Sequence, residues 1–122
     1  MESSYTIIAH PTLCLLEINM RGLFDPAHAR QFAAEKEIAF QRLRCKPNEH
    51  VSLVDVTACL IQPQSVVGMF QSIIADPRFK ARRIAFVVGG SLAKMQLRRI
   101  LDGRDTQYFQ SRDAAERWLF EP

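Results

Sequence analysis

Ile84-Ala85-Phe86-Val87-Val88 is the stretch that decides the fold of this chain. A strand with one wet face alternates apolar and polar residues, whereas an unbroken apolar run implies a strand buried on both faces, as in the middle of a parallel sheet. Gly89-Gly90-Ser91 then turns the chain into a helix with Ala93, Leu97, Ile100 and Leu101 inward and Lys94, Met95, Arg98 and Arg99 outward. Upstream, Val51-Ser52-Leu53-Val54-Asp55-Val56 reads as another strand, entered from the Pro47-Asn48 loop. A helix from about Ser65 to Ala75 follows, with Val66, Met69, Phe70 and Ile73 on one face and Asp76-Pro77 as its stop.

Farther from that centre the same periodicities continue. Asp25-Pro26 opens a helix, because a carboxylate caps free N–H groups and proline at the first helical position loses no needed donor. Ala29, Phe32, Ala33, Ala39, Phe40 and Leu43 form its apolar stripe, with Lys36 in the middle. That lysine either snorkels along the apolar surface or meets a carboxylate such as Glu17 or Asp55. Before the helix, Thr6-Ile7-Ile8-Ala9 and the alternating Leu13 to Met20 flank His10-Pro11-Thr12, which reads as a hairpin. At the other end, Asp102-Gly103 precedes a short strand around Gln107-Tyr108-Phe109, and Ser111 caps a helix with Ala114, Ala115, Trp118 and Leu119 inward. The order β-β-α-β-α-β-α-β-α predicts one α/β domain over residues 1–122, a mostly parallel sheet with an antiparallel N-terminal edge.

Length and composition agree with that expectation. At 122 residues, 48% hydrophobic and 24% charged, the chain has the proportions of an ordinary globular domain. No apolar run approaches the roughly 18 residues of a membrane span, and Met1-Glu2-Ser3-Ser4 has no signal-peptide pattern, so the expected location is the cytoplasm. Cys14, Cys45 and Cys59 are odd in number and lack zinc-site spacing; they read as reduced thiols, with Cys14 packed in the core of its strand. The net charge of +3 hides a basic segment, 78–104, where eight cations face Asp102 alone, a local +7 that leaves −4 elsewhere. No aromatics interleave with these cations as a single-strand nucleic-acid platform needs, so nucleic acid is not the expected partner.

The catalytic look-alikes are incomplete. Gly89-Gly90-Ser91-Leu92-Ala93 resembles a nucleophile elbow, yet the base of such a site follows the serine in the chain, and His10, His28 and His50 all precede it. The turn is not a P-loop, and no G-x-G-x-x-G is present. Asp55 sits at a strand end, where α/β sheets place functional residues, but lacks the acids and lysine of a phosphoacceptor site; the expectation is that its side chain caps a turn. The histidines have no ligand spacing. No metal, cofactor or enzymatic activity is expected.

Leu53-Val54-Asp55-Val56-Thr57 followed by an amphipathic helix resembles the STAS domains of anti-sigma factor antagonists, the SpoIIAA-like proteins. The C-terminal Phe109-Gln110-Ser111-Arg112-Asp113-Ala114-Ala115-Glu116-Arg117-Trp118-Leu119 is similar to the ending of the same branch. The resemblance implies a non-enzymatic regulatory or protein-interaction module, and in the signalling members a serine at the start of the helix after this strand is phosphorylated. The corresponding stretch here is Ile61-Gln62-Pro63-Gln64-Ser65-Val66, without the family's acid and glycine; Ser65 is either that serine or the N-cap of its helix. The expected contact residues for a protein partner are Asp55, Thr57, Gln62 and Ser65 on one side, or Lys94, Arg98 and Arg99 on the basic helix, and a homodimer is a further possibility. The alternative is a carrier or sensor of a small apolar molecule, in a pocket lined by Phe32, Phe40, Met69, Phe70 and Phe86.

Overall fold

The pleat of each strand sends successive side chains to opposite faces, and both faces of this sheet are covered. The structure is a computed structural model that describes residues 2–90 and 105–122. Its strands are β1 (Ser4–His10), β2 (Leu15–Gly22), β3 (Val51–Cys59), β4 (Arg83–Val87) and β5 (Thr106–Phe109). The helices are α1 (Pro26–Leu43), α2 (Gln64–Ala75) and α3 (Arg112–Leu119). The sheet order is β1-β2-β3-β4-β5, with β1 antiparallel to β2 and every other pair parallel. As the apolar run implied, β4 lies between two parallel neighbours, and Ala85, Phe86 and Val87 are buried. The helix expected after Gly89-Gly90 lies outside the described residues.

One face, carrying Leu16, Ile18, Met20, Val54, Val56, Phe86 and Val88, packs with Phe32, Phe40 and Leu43 of α1 and Val66 of α2. The other, carrying Leu15, Val51, Leu53, Ala85 and Val87, packs with Ala115 and Leu119 of α3. Asp25 accepts a hydrogen bond from the His28 amide at 2.7 Å and Pro26 opens α1, while Ser111 accepts from the Ala114 amide and caps α3. Both caps match the expectation from sequence.

Two expectations are corrected here. Cys14 is not a strand residue but the left-handed residue (φ +47°) that ends the 3₁₀ turn between β1 and β2. Nor is it a free thiol: it is disulfide-bonded to Cys45, just beyond α1, across a Cα–Cα distance of 6.4 Å. Spacing hid this pair because the two lie 31 positions apart with all of β2 and α1 between them, and only the return of α1 along the sheet brings its C-terminus beside the hairpin. Cys59 is the free cysteine; burial, with the Asp55 charge adding to it, pushes its thiol up to about 12.

Ser65 is likewise not the cap of α2. The helix starts at Gln64 with Pro63 as its N-cap and no side-chain cap bond, which leaves Ser65 exposed in the first turn.

Candidate functional site

Two places in the fold gather the residues with chemistry, one at the carboxyl end of the strands and one beneath α1 and α2. At the first, Asn19 pairs with Asp55 in register but Arg21 pairs with Ala58, so β3 carries one extra residue. This bulge leaves Thr57 and Ala58 both exposed and bends the strand end. Asp55 Oδ1 accepts from the Thr57 amide at 3.0 Å and from its hydroxyl at 2.7 Å, the turn-capping role the sequence suggested.

Asp55 also belongs to a polar cluster that the α3 face encloses. Arg112, at the start of α3, ion-pairs with Glu17, donates to Asn19 Oδ1 at 3.2 Å, and approaches Asp55 Oδ2 at 3.6 Å and Glu116 at 3.6 Å. His10 donates to Glu17 Oε1 at 2.8 Å. Burial pushes the Glu17 carboxyl up, but the His10 hydrogen bond and the Arg112 charge outweigh it and hold the group below its ordinary value. Chemically this is a clasp between helix and sheet rather than a proton relay, because each carboxylate is spent on a cation or an amide. The sequence signal was Glu17 and Asn19 at the polar positions of an apolar strand; that Arg112 meets them across more than 90 residues was not legible there.

Gln62 has a structural duty as well. Its Oε1 accepts from the Phe24 amide at 2.8 Å, and its Nε2 donates to the Gly22 carbonyl at 2.9 Å and to the Leu60 carbonyl at 2.6 Å. The Gly22 carbonyl also accepts from the Leu60 amide at 3.1 Å. Gly22 has φ +83°, and a Cβ there would collide with the Glu2 carbonyl, so glycine is required where this latch closes. The latch sets Leu23, Leu60 and Ile61 on neighbouring backbone with their side chains 43%, 46% and 54% exposed. Asp55, Thr57 and Gln62 thus sit around one loop system, and Ser65 follows it in α2. Lys94, Arg98 and Arg99, together with Ser91, lie outside the described residues.

Beneath α1 and α2 lies an apolar cavity of about 100 Å³, lined from the sheet by Ile18, Val54 and Phe86 and from the helices by Phe32, Phe70 and Ile73. Phe70 meets Phe24 and Phe32 edge-on at centroid distances of 5.6 and 5.8 Å. Of the five residues expected to line a pocket, Phe32, Phe70 and Phe86 do so; Phe40 instead packs against His50 and Phe79, and Met69 is not on the wall.

Lys36 lines the cavity. The acids that act on it are Asp76 and Glu37, not Glu17 or Asp55, both of which sit with Arg112 on the α3 face. His50 is fully buried, and its Nδ1 has no hydrogen-bond partner among the described residues. Burial, reinforced by the Lys36 charge, lowers its pKa to about 4, so the ring is neutral at pH 7. No group of three His, Cys, Asp or Glu that could hold a metal is found among the described residues, and no helix there is long and apolar enough to cross a membrane.

No family model matches the sequence, and no curated protein matches it. Among solved structures, an uncharacterized protein of the DUF3478 family with a SpoIIAA-like fold, from Shewanella loihica PV-4, is similar with a TM-score of 0.71. The two share 18% identity over 96% of this chain and 93% of that one. An antiparallel edge strand followed by parallel strands, with helices on both faces, agrees with that likeness: this chain has a SpoIIAA-like fold.

Proposed function

We propose that the chain is a non-enzymatic interaction module that docks a protein partner through the rim of the β3–α2 loop. The observation that carries this reading is the Gln62 latch, which spends three hydrogen bonds holding Leu23, Leu60 and Ile61 side by side and exposed. Exposed apolar residues gathered beside polar loop residues mark interaction surfaces more often than scattered ones do. Thr57 and Ser65, both exposed, border the same loop system and supply its polar rim, with Asp55 holding Thr57 in place from behind. The placement in the cytoplasm belongs to this proposal too, and the redox state of Cys14 and Cys45 in cells reports on it, since reducing compartments disfavour such a bond.

Affinity capture from host extract, read by quantitative mass spectrometry, tests it. Partners held by the wild type are expected to fall at least tenfold with Leu23→Asp/Ile61→Asp, two exposed positions off the cavity wall, while the melting temperature stays unchanged. Retention of the same partners by that variant overturns the reading. A second reading, a carrier or sensor of a small apolar molecule, is supported by the cavity beneath α1 and α2.

A further inference from the structure

Among the described residues that line the cavity beneath α1 and α2, Lys36 is the single charged one. It also lines a hollow on the seam between the two helices, beside Glu37, Ser72 and Asp76, so its side chain stands between the apolar interior and the surface. The acids that would neutralise it are engaged elsewhere: Arg78 pairs with Asp76 at 2.7 Å and with Glu37 at 3.6 Å. Lys36 itself has no hydrogen bond or ion pair among the described residues. Burial lowers its pKa, and the charges of Asp76 and Glu37 pull it only part of the way back up. A half-buried cation with no direct hydrogen bond or ion pair among the described residues is costly to keep in a mostly apolar wall, and an anion placed there would offset that cost.

We propose that the cavity binds a short-chain aliphatic carboxylate, its tail between Phe32, Phe70 and Phe86 and its carboxylate on Lys36. The inference rests on the carrier or sensor reading. The volume sets the class: about 100 Å³ is less than the roughly 150 Å³ of a dry cavity that accepts benzene, so the occupant is a few carbons long rather than a membrane acyl chain. Ser52, Cys59 and the latched Gln62 also line the cavity and add polar atoms without adding charge.

The test is an NMR titration of the full chain with pentanoate and, separately, with 1-pentanol, on the wild type, on Lys36→Met and on Lys36→Gln. Pentanoate is expected to perturb cavity residues in the wild type and to bind at least tenfold more weakly to both variants, while 1-pentanol binds all three within twofold. If neither probe perturbs the cavity of the wild type, the carrier reading itself falls. If both bind and the variants hold pentanoate within twofold of wild type, the cavity stands and the pairing with Lys36 is overturned.

Discussion

Removing the bond between Cys14 and Cys45 perturbs the unfolded chain far more than the folded one, because both residues are only half-buried and sit at turns. The bond closes a loop spanning 31 residues of separation. Chain-entropy reasoning for a loop of that length gives about 3.7 kcal/mol of stabilisation at 25 °C. With an unfolding entropy of roughly 2.1 cal/mol/K per residue, a chain of 122 residues loses about 14 °C of melting temperature when the bond is opened. Thermal unfolding followed by circular dichroism, with and without a phosphine reductant and beside Cys14→Ser/Cys45→Ser, measures this directly. Alkylation under denaturing, non-reducing conditions should modify Cys59 and spare the other two. Three alkylated cysteines after treatment of the purified protein with oxidised glutathione would refute the bridge, and a shift below about 3 °C on confirmed reduction would refute the entropic account of it.

The clasp and the buried histidine each yield a further outcome. Arg112→Ala strands Glu17 and Asp55 without their cation, and chemical denaturation is expected to show a loss of about 1–3 kcal/mol, reduced from the fully buried case by partial exposure; stability equal to wild type would sink the clasp. His50 has a folded pKa near 4, below its ordinary value, so the folded state binds fewer protons there than the unfolded state. Its contribution is therefore complete above about pH 6.5 and is lost as pH falls toward 4, by about 2 kcal/mol at pH 5. His50→Leu should flatten denaturation midpoints between pH 7 and 5, and an unchanged slope would show that another group titrates.

Local chemistry made much of the architecture readable. The all-apolar run at 84–88, the caps Asp25 and Ser111, and the hairpin around Pro11 each depend on neighbours within one turn or one strand, so their outcomes are set before the chain folds back on itself. The antiparallel edge and the parallel remainder followed from the order of such elements. Lys36 was visible as a lone charge in an apolar stripe, which is a helix-local pattern; which acids act on it was not, because Asp76 reaches it only through the packing of α2 on α1.

What the tertiary structure alone decided is every pairing across long separation. Cys14 with Cys45, Arg112 with Glu17, and Gln62 with Gly22 and Phe24 join segments whose spacing in the chain carries no period, so no window of sequence contains both partners. The cavity is partly of this kind: Phe32, Phe70 and Phe86 could be named from sequence as wall residues, but Phe40 and Met69 looked the same there, and only the packing of two helices on one sheet face decides which of them line the gap.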